Sequence, residues 1–328
     1  MNLPLPLSRR PSRVGGSVGW CLILFVPLWG GCATHMTAAG NAAVAPESED
    51  IARDVQGVMV ENDRSRLREM ERAATGLYEA GRLTPMKQVQ SGLTNRICRI
   101  ELPAASRPAA DAGEVYRNAR PSVMLHGTFF KCGRCPNWHV NAATCFALTS
   151  DGVFAANFHA FQDRQAETAG MIVATADGRV FPVTEVLAAN SADDVCIFRA
   201  DLGGERVTPL PLAAKPEEPG GLVYALSHPS GQHYVFTSGI VSRYAVMPSR
   251  ADSAGKGRPS SARMYITADY AKGSSGGPIM NRRGEVVGMV SSTSSIYYTE
   301  ENGKQENLQM VMKYCVPLMS IRALVGEP

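Results

Sequence analysis

Gly273-Ser274-Ser275-Gly276-Gly277-Pro278 stands immediately before a short apolar run, Ile279-Met280. Glycines let a main chain turn sharply enough to aim successive N–H groups at one point. Acyl transfer needs that arrangement, a nucleophile lying beside N–H groups that can receive an oxyanion. Ser275 is the natural nucleophile of this turn, and the amides of Gly273 and Ser275 are its natural oxyanion donors. A Gly-rich serine turn taken alone is equally a plain turn, so the reading depends on what the rest of the chain supplies.

A serine hydroxyl attacks poorly until a base takes its proton. Asp151-Gly152-Val153-Phe154-Ala155-Ala156-Asn157-Phe158-His159 reads as a turn, an apolar strand and a histidine at the strand's exit, which makes His159 the candidate base. The other histidines sit elsewhere: His35 in a flexible stretch, His126 within a strand, His139 among cysteines, and His228 and His233 on either side of Pro229-Ser230-Gly231. His126, His228 and His233 are read as structural. The base must be held in one tautomer by a carboxylate, and Asp193-Asp194-Val195-Cys196-Ile197-Phe198-Arg199 puts acids at the head of a buried strand. Asp194 adjoins the apolar run and is preferred; Asp193 is the alternative, with a turn-capping role as its other reading.

Outward from these motifs, short strands alternate with turn residues. One set is predicted at 122–130, 144–149, 152–157, 170–175, 179–187 and 194–199, and a second, after a linker over 201–219, at 221–228, 233–244, 263–268, 276–281, 284–292 and 309–316. Two sets of this kind predict an all-β main domain over 111–328, built as two six-stranded antiparallel β-barrels (120–200 and 220–316) with a C-terminal helix in 317–326. Met247 to Ala262, dense in Ser, Arg, Gly and Pro, is expected to be a mobile loop open to nicking.

His159, Asp194 and Ser275 in that chain order, together with Gly-x-Ser-Gly-Gly-Pro, resemble the trypsin-like serine peptidases, in particular their bacterial high-temperature-requirement branch. The resemblance covers about 113–325. Asn157 matches an Asn usual in that branch, whereas Ala156 replaces a Thr and Cys196 an Ala. Gly239-Ile240-Val241-Ser242 and Gly284-Glu285-Val286-Val287-Gly288 also resemble its second barrel. The resemblance implies a serine endopeptidase acting on protein or peptide substrates through an acyl-enzyme, with no cofactor. It further implies that Asp269, six residues before the nucleophile, lies at the base of the primary pocket and attracts Lys or Arg, the alternative being a solvent-facing or loop-capping role. Val287 to Ser292, including Val290 and Ser291, is expected to form the wall on which substrate backbone adds as a strand.

Departures from the family count too. Ser274 stands where digestive-type members carry the Asp that pairs with a new N-terminus, so zymogen activation of that kind is not expected. Only 37 residues follow Ser291, so a PDZ module of the kind common in the high-temperature-requirement branch is not expected. Two other functions fit the same residues: a non-catalytic trypsin-fold binding module, and an esterase-like hydrolase using the same triad.

Ahead of the main domain, Arg9, Arg10 and Arg13 precede an uncharged run from Val14 to Thr34, the pattern of an export signal over 1–34. Its Gly30-Gly31-Cys32 end resembles a bacterial lipoprotein signal, which implies acylation of Cys32 and a membrane anchor, although Trp29 holds a place usually taken by Leu. A cleaved secretory signal and an uncleaved anchor are the alternatives. Ala-rich residues 35–48 read as a tether. Within a helical N-terminal region over 49–110, the spacing of Val55, Val58, Val60, Leu67, Met70, Ala74, Leu77 and Tyr78 predicts helix from Glu49 to Gly81 and a small helical hairpin.

The formal charge of +3 with 45% hydrophobic and 19% charged residues is ordinary for a globular chain and offers no polybasic stripe for nucleic acid. Export favours pairing among Cys98, Cys132, Cys135, Cys145, Cys196 and Cys315. Cys132-x-x-Cys135-x-x-x-His139, with Cys145, also has the donor types of a structural zinc site. A disulfide such as Cys132–Cys145 across the first hairpin is the favoured reading, and neither would be catalytic.

Overall fold

Strands form where apolar and β-branched residues alternate along the chain, and in this protein they close into two rings. The computed structural model describes residues 51–328 apart from 106–107, 163–166, 248–249, 252–256, 259–260, 302–303 and 327–328. The export signal, Cys32 and the tether therefore lie outside the described residues.

The first ring contains β1 (Val123–Lys131), β2 (Trp138–Ala147), β3 (Val153–Ala156), β4 (Glu167–Ala174), β5 (Val180–Asn190) and β6 (Val195–Ala200), closed in the order β1-β2-β3-β6-β5-β4. The second contains β7 (Leu222–Ser227), β8 (Val235–Met247), β9 (Ser261–Ile266), β10 (Pro278–Met280), β11 (Val286–Glu301) and β12 (Lys304–Pro317), closed in the corresponding order β7-β8-β9-β12-β11-β10. Closure removes the exposed edges an open sheet would present. Phe198 packs between Phe154 and Phe161 in the first barrel, with ring centroids 5.5 and 5.0 Å away. Ile279, Val287, Met289 and Val316 are fully buried in the second.

Both barrels match the expectation; several limits do not. β11 and β12 run well beyond the predicted 284–292 and 309–316 as a paired hairpin that leaves Ile296, Tyr298, Leu308 and Met310 exposed. Its Ser- and Thr-rich sequence carries no burial pattern, so pairing and not packing sets its length. Within Met247–Ala262, read as a loop, Arg250–Ala251 pairs with Gly257–Arg258. The closing helix α4 (Leu318–Arg322) is shorter than predicted, because Val325–Gly326 pairs in parallel with Cys98–Arg99. Helix α3 (Ala112–Ala119), capped by the Asp111 carboxylate on the Glu114 N–H at 2.8 Å, leads into β1.

The helical reading of 49–81 needs correction at its start. Ala52–Val55 pairs with Val58–Glu61 as a β-hairpin about Gln56 and Gly57, both at positive φ (53° and 82°). Val55, Val58 and Val60, assigned to a helix face, are exposed strand residues. Helix α1 (Asp63–Glu79) begins only after Asn62, whose side chain accepts the Ser65 N–H at 3.1 Å. Its partner is a single turn, α2 (Met86–Gln90), so no hairpin of two long helices forms. Met70 and Ala74 of α1 pack on Leu125, Phe129 and Ile172 of the first barrel, which fits a structural subdomain.

Candidate active site

Asp194 occupies the left-handed region (φ 65°) just before β6 and is 2% exposed. Few non-glycine residues adopt that backbone, and where they do the surroundings must hold them. Asn157, fully buried at the exit of β3, does so by donating its Nδ2 to the Asp194 carbonyl at 3.0 Å. The carboxylate is thereby aimed at His159, whose Nδ1 lies 3.0 Å from both oxygens and whose backbone N–H reaches Oδ1 at 3.1 Å. Ser291 Oγ donates to Oδ2 at 2.7 Å. With Nδ1 engaged, Nε2 is the nitrogen left to act as base. Asp193 lies in the turn before β6, its carboxylate accepting from Asn190 Nδ2 at 3.1 Å, while Asn190 Oδ1 is the group that caps the Ala192 and Asp193 N–H groups.

The Gly-rich turn is shaped by close approach. At Gly276 (φ 87°) a Cβ would lie 1.9 Å from the Thr144 carbonyl oxygen, and at Gly273 (φ 94°) 2.6 Å from that of His228. Within the turn the Ser274 N–H bonds Ala271 O (3.0 Å), the Gly276 N–H bonds Val290 O (3.1 Å) and the Gly277 N–H bonds Ser274 O (2.9 Å). Among the described residues no such backbone bond is made by the N–H groups of Gly273 and Ser275, the two read as oxyanion donors. Ser274 is buried, with Ser227 Oγ donating to its hydroxyl at 2.9 Å. Ser275 Oγ donates to Ser291 O at 3.4 Å, a weak contact.

Sequence reasoning missed the strut behind this turn. Thr144, fully buried on β2, donates its N–H to Ser275 O (3.0 Å) and its Oγ1 to Gly273 O (3.0 Å), while that same Oγ1 accepts the His228 N–H (3.1 Å). Nothing in the sequence around Thr144 marks it, since its partners lie more than eighty positions away. Behind His228, Arg66 and Arg120 lie 5.0 and 4.4 Å from the ring centroid of buried Tyr234 and are bridged by Glu61, while Asp63 sits 2.9 Å from His233 Nδ1. The N-terminal segment thus buttresses the loop on which the Gly-rich turn rests.

Val290 is buried in β11 and donates its N–H to Gly277 O at 2.8 Å. Ser291 falls at a register shift in the β11–β12 ladder, which turns its hydroxyl towards Asp194. Asp269 is 85% exposed at its side chain and is ion-paired with Lys313 Nζ at 3.1 Å. Tyr270, beside it, is buried, its hydroxyl donating towards Ser292 O and Tyr314 O at 2.9 Å. The geometry therefore supports the solvent-facing reading of Asp269.

The cysteine cluster is split. Cys132 and Cys135 Sγ lie 3.2 Å apart at the tip of the β1–β2 hairpin, with His139 Nε2 3.0 Å from Cys135 Sγ. The Cys132 thiol is pulled down to about 7, chiefly by the Cys135 sulfur beside it. Cys145 is fully buried and stands opposite Met124, eight positions before Cys132 along β1 and the following loop. At ~3.4 Å per residue that is on the order of 25 Å, far beyond the ~7 Å Cα limit of a disulfide. The expected Cys132–Cys145 bridge is therefore ruled out by register, and no disulfide joins any of the six cysteines among the described residues.

Residues 143–289 match the trypsin-like peptidase domain family. The chain is 25% identical over 145 residues to Protease Do-like 1, chloroplastic, of Arabidopsis thaliana, covering 44% of this chain and 31% of that protein. It is 26% identical over 232 residues to Serine protease PepD of Mycobacterium tuberculosis, covering 69% and 48% respectively. The chain thus spans about a third to a half of the length of these curated relatives. The matched stretch begins on β2, ends on β11 and takes in His159, Asp194 and Ser275, so the part of this chain that carries the candidate site is similar to a trypsin-like peptidase domain and distantly similar to proteins named as serine proteases.

Proposed function

We propose that this protein is a serine endopeptidase that hydrolyses peptide bonds of protein substrates through an acyl-enzyme. The observation that carries the reading is the buried Asp194 carboxylate seated on His159 Nδ1, beside a turn that presents Ser275. In the first step Ser275 Oγ attacks the scissile carbonyl carbon and its proton passes to His159 Nε2. The carbonyl oxygen becomes an oxyanion facing the Gly273 and Ser275 N–H groups. Asp194 stabilises the imidazolium and fixes its tautomer without taking the proton. Collapse of the tetrahedral species expels the amine, which leaves with the proton from His159. Water then repeats the sequence on the ester, returning Ser275 and a carboxylic acid.

Ser275 turns from Ser291 O onto His159 for this chemistry; long hydrogen bonds before substrate arrives are common in such sites. Substrate backbone adds along β11 at Ser291 and not at Val290, whose N–H and carbonyl are already bonded to Gly277 and Gly276. The export reading of 1–34 places the enzyme in the cell envelope, with Cys32 as a lipid attachment point. The test is stoichiometric labelling of the full-length protein by a fluorophosphonate probe, read by intact mass. We expect one label per chain, lost in Ser275→Ala and His159→Ala. A folded protein that takes no label sinks constitutive catalysis and leaves a binding module; labelling without cleavage of any peptide amide leaves an esterase-like hydrolase.

A further inference from the structure

Cys132, Cys135 and His139 lie outside the site just described, at the far end of β2 from Thr144. They come from two sides of one hairpin tip: the cysteines from the turn after β1, the histidine from the second residue of β2. Their donor atoms, the two Sγ and an imidazole nitrogen, all lie within 4.8 Å of one another. Three soft donors have converged on one point without an apolar reason to do so, since all three residues are half-buried.

We propose that Cys132, Cys135 and His139 bind one divalent zinc-type ion, which ties the tip of the β1–β2 hairpin to helix α1 through Glu71. Thiolate and imidazole donors suit zinc and disfavour calcium or magnesium, which take oxygen ligands. Around a tetrahedral ion at ~2.3 Å from sulfur and ~2.0–2.1 Å from nitrogen, donors stand roughly 3.5–3.8 Å apart. The observed 3.2 Å between the sulfurs and 3.0 Å from Cys135 Sγ to His139 Nε2 need to open by less than about an ångström to meet that geometry.

A second, independent observation points the same way. Glu71 Oε1 of α1 lies 3.4 Å from His139 Nδ1, on the side of the ring away from the cysteines. A carboxylate behind a ligating histidine fixes the tautomer that leaves Nε2 as the donor. Glu71 is more than sixty positions from the cysteines, so its placement is a product of the fold and not of a local turn. A shallow cavity of about 450 Å³, bordered by Lys131, Cys132, Cys135 and Glu167, opens beside the thiols and gives water access to a fourth coordination position. Two thiolates and a neutral imidazole cancel the charge of a divalent ion, so the bound site carries no net charge.

The competing fate of this pair is a Cys132–Cys135 disulfide, in which the sulfurs would close to ~2.05 Å and both thiolate ligands would be lost to an oxidant. The test is cobalt(II) titration of reduced full-length protein, read by thiolate-to-cobalt charge-transfer absorption, followed by displacement with zinc. We expect saturation at one equivalent, loss of the band in Cys132→Ser, and retention of a weaker band in Glu71→Gln with affinity reduced about 10- to 100-fold. His139→Gln, which keeps both thiols, should shift the band and weaken binding, so the argument does not depend on how well the cysteine variant folds. A folded, reduced protein without the band overturns the proposal. So does an affinity unchanged in both Glu71→Gln and His139→Gln, or a purified chain whose mass and peptide map show the Cys132–Cys135 disulfide in place of metal.

Discussion

Replacing Thr144 by Val keeps the shape of the side chain and removes one hydroxyl, and the structure sets what that hydroxyl holds. It donates to Gly273 O at 3.0 Å and accepts the His228 N–H at 3.1 Å. The half-buried Gly273 carbonyl can turn to water, but the buried His228 N–H cannot, and a buried group left unsatisfied costs about 1–3 kcal/mol. The total is therefore about 1–3 kcal/mol, which for a domain of this size lowers Tm by roughly 2–12 °C. The second effect is on chemistry. In the proposed mechanism Gly273 supplies one oxyanion donor, and loss of one such donor costs about 10²–10³ in rate; loosening its peptide should therefore slow fluorophosphonate labelling by at least about tenfold. Thr144→Ser keeps the hydroxyl and should restore most of the rate. The assay is the second-order labelling rate constant measured beside a thermal melt. A variant that melts lower but labels at the parental rate refutes the claim that Thr144 holds the oxyanion turn.

Acid should destabilise the fold below about pH 6.5. Burial lowers His126 to about 3 and also lowers His228 and His233, so the unfolded chain binds protons that the native one refuses; stability present at neutral pH is lost as pH falls, by about 1.4 kcal/mol per unit for each such histidine. His126→Phe, which keeps the ring beside Phe161 and Phe198, should flatten the melting profile between pH 6 and 4 by one proton, and an unchanged slope would contradict its buried neutral state. Glu61→Gln breaks the pairs to Arg66 and Arg120; because Arg66 keeps the carbonyls of Thr175 and Ala176, the cost should be about 2–4 kcal/mol in urea unfolding, and a loss under about 0.5 kcal/mol would make the bridge incidental. Asp269→Asn should alter the preference for Lys or Arg over neutral side chains by less than about threefold, since its exposed carboxylate is already paired with Lys313. A hundredfold loss for basic substrates would restore it to the pocket.

The double barrel was legible in the sequence because each strand announces itself locally, by alternation bounded by turn residues, and closure follows from having six such strands in each set. The candidate triad was legible for a related reason: His159, Asp194 and Ser275 each sit at a strand end with recognisable neighbours, and their order along the chain is informative. The hairpin at Ala52–Glu61 was misread because valines three apart fit a helix face as well as two exposed strands, and only the positive φ at Gln56 and Gly57 separates them. Tertiary structure decided everything that depends on register or long-range approach. It set Cys145 far from Cys132, paired Asp269 with Lys313, turned Ser291 onto Asp194 through a bulge, and brought Glu71 behind His139 and Thr144 beneath the oxyanion turn. A sequence records which groups a chain owns and how they repeat locally, whereas distances between residues a hundred positions apart are fixed only when the barrels close.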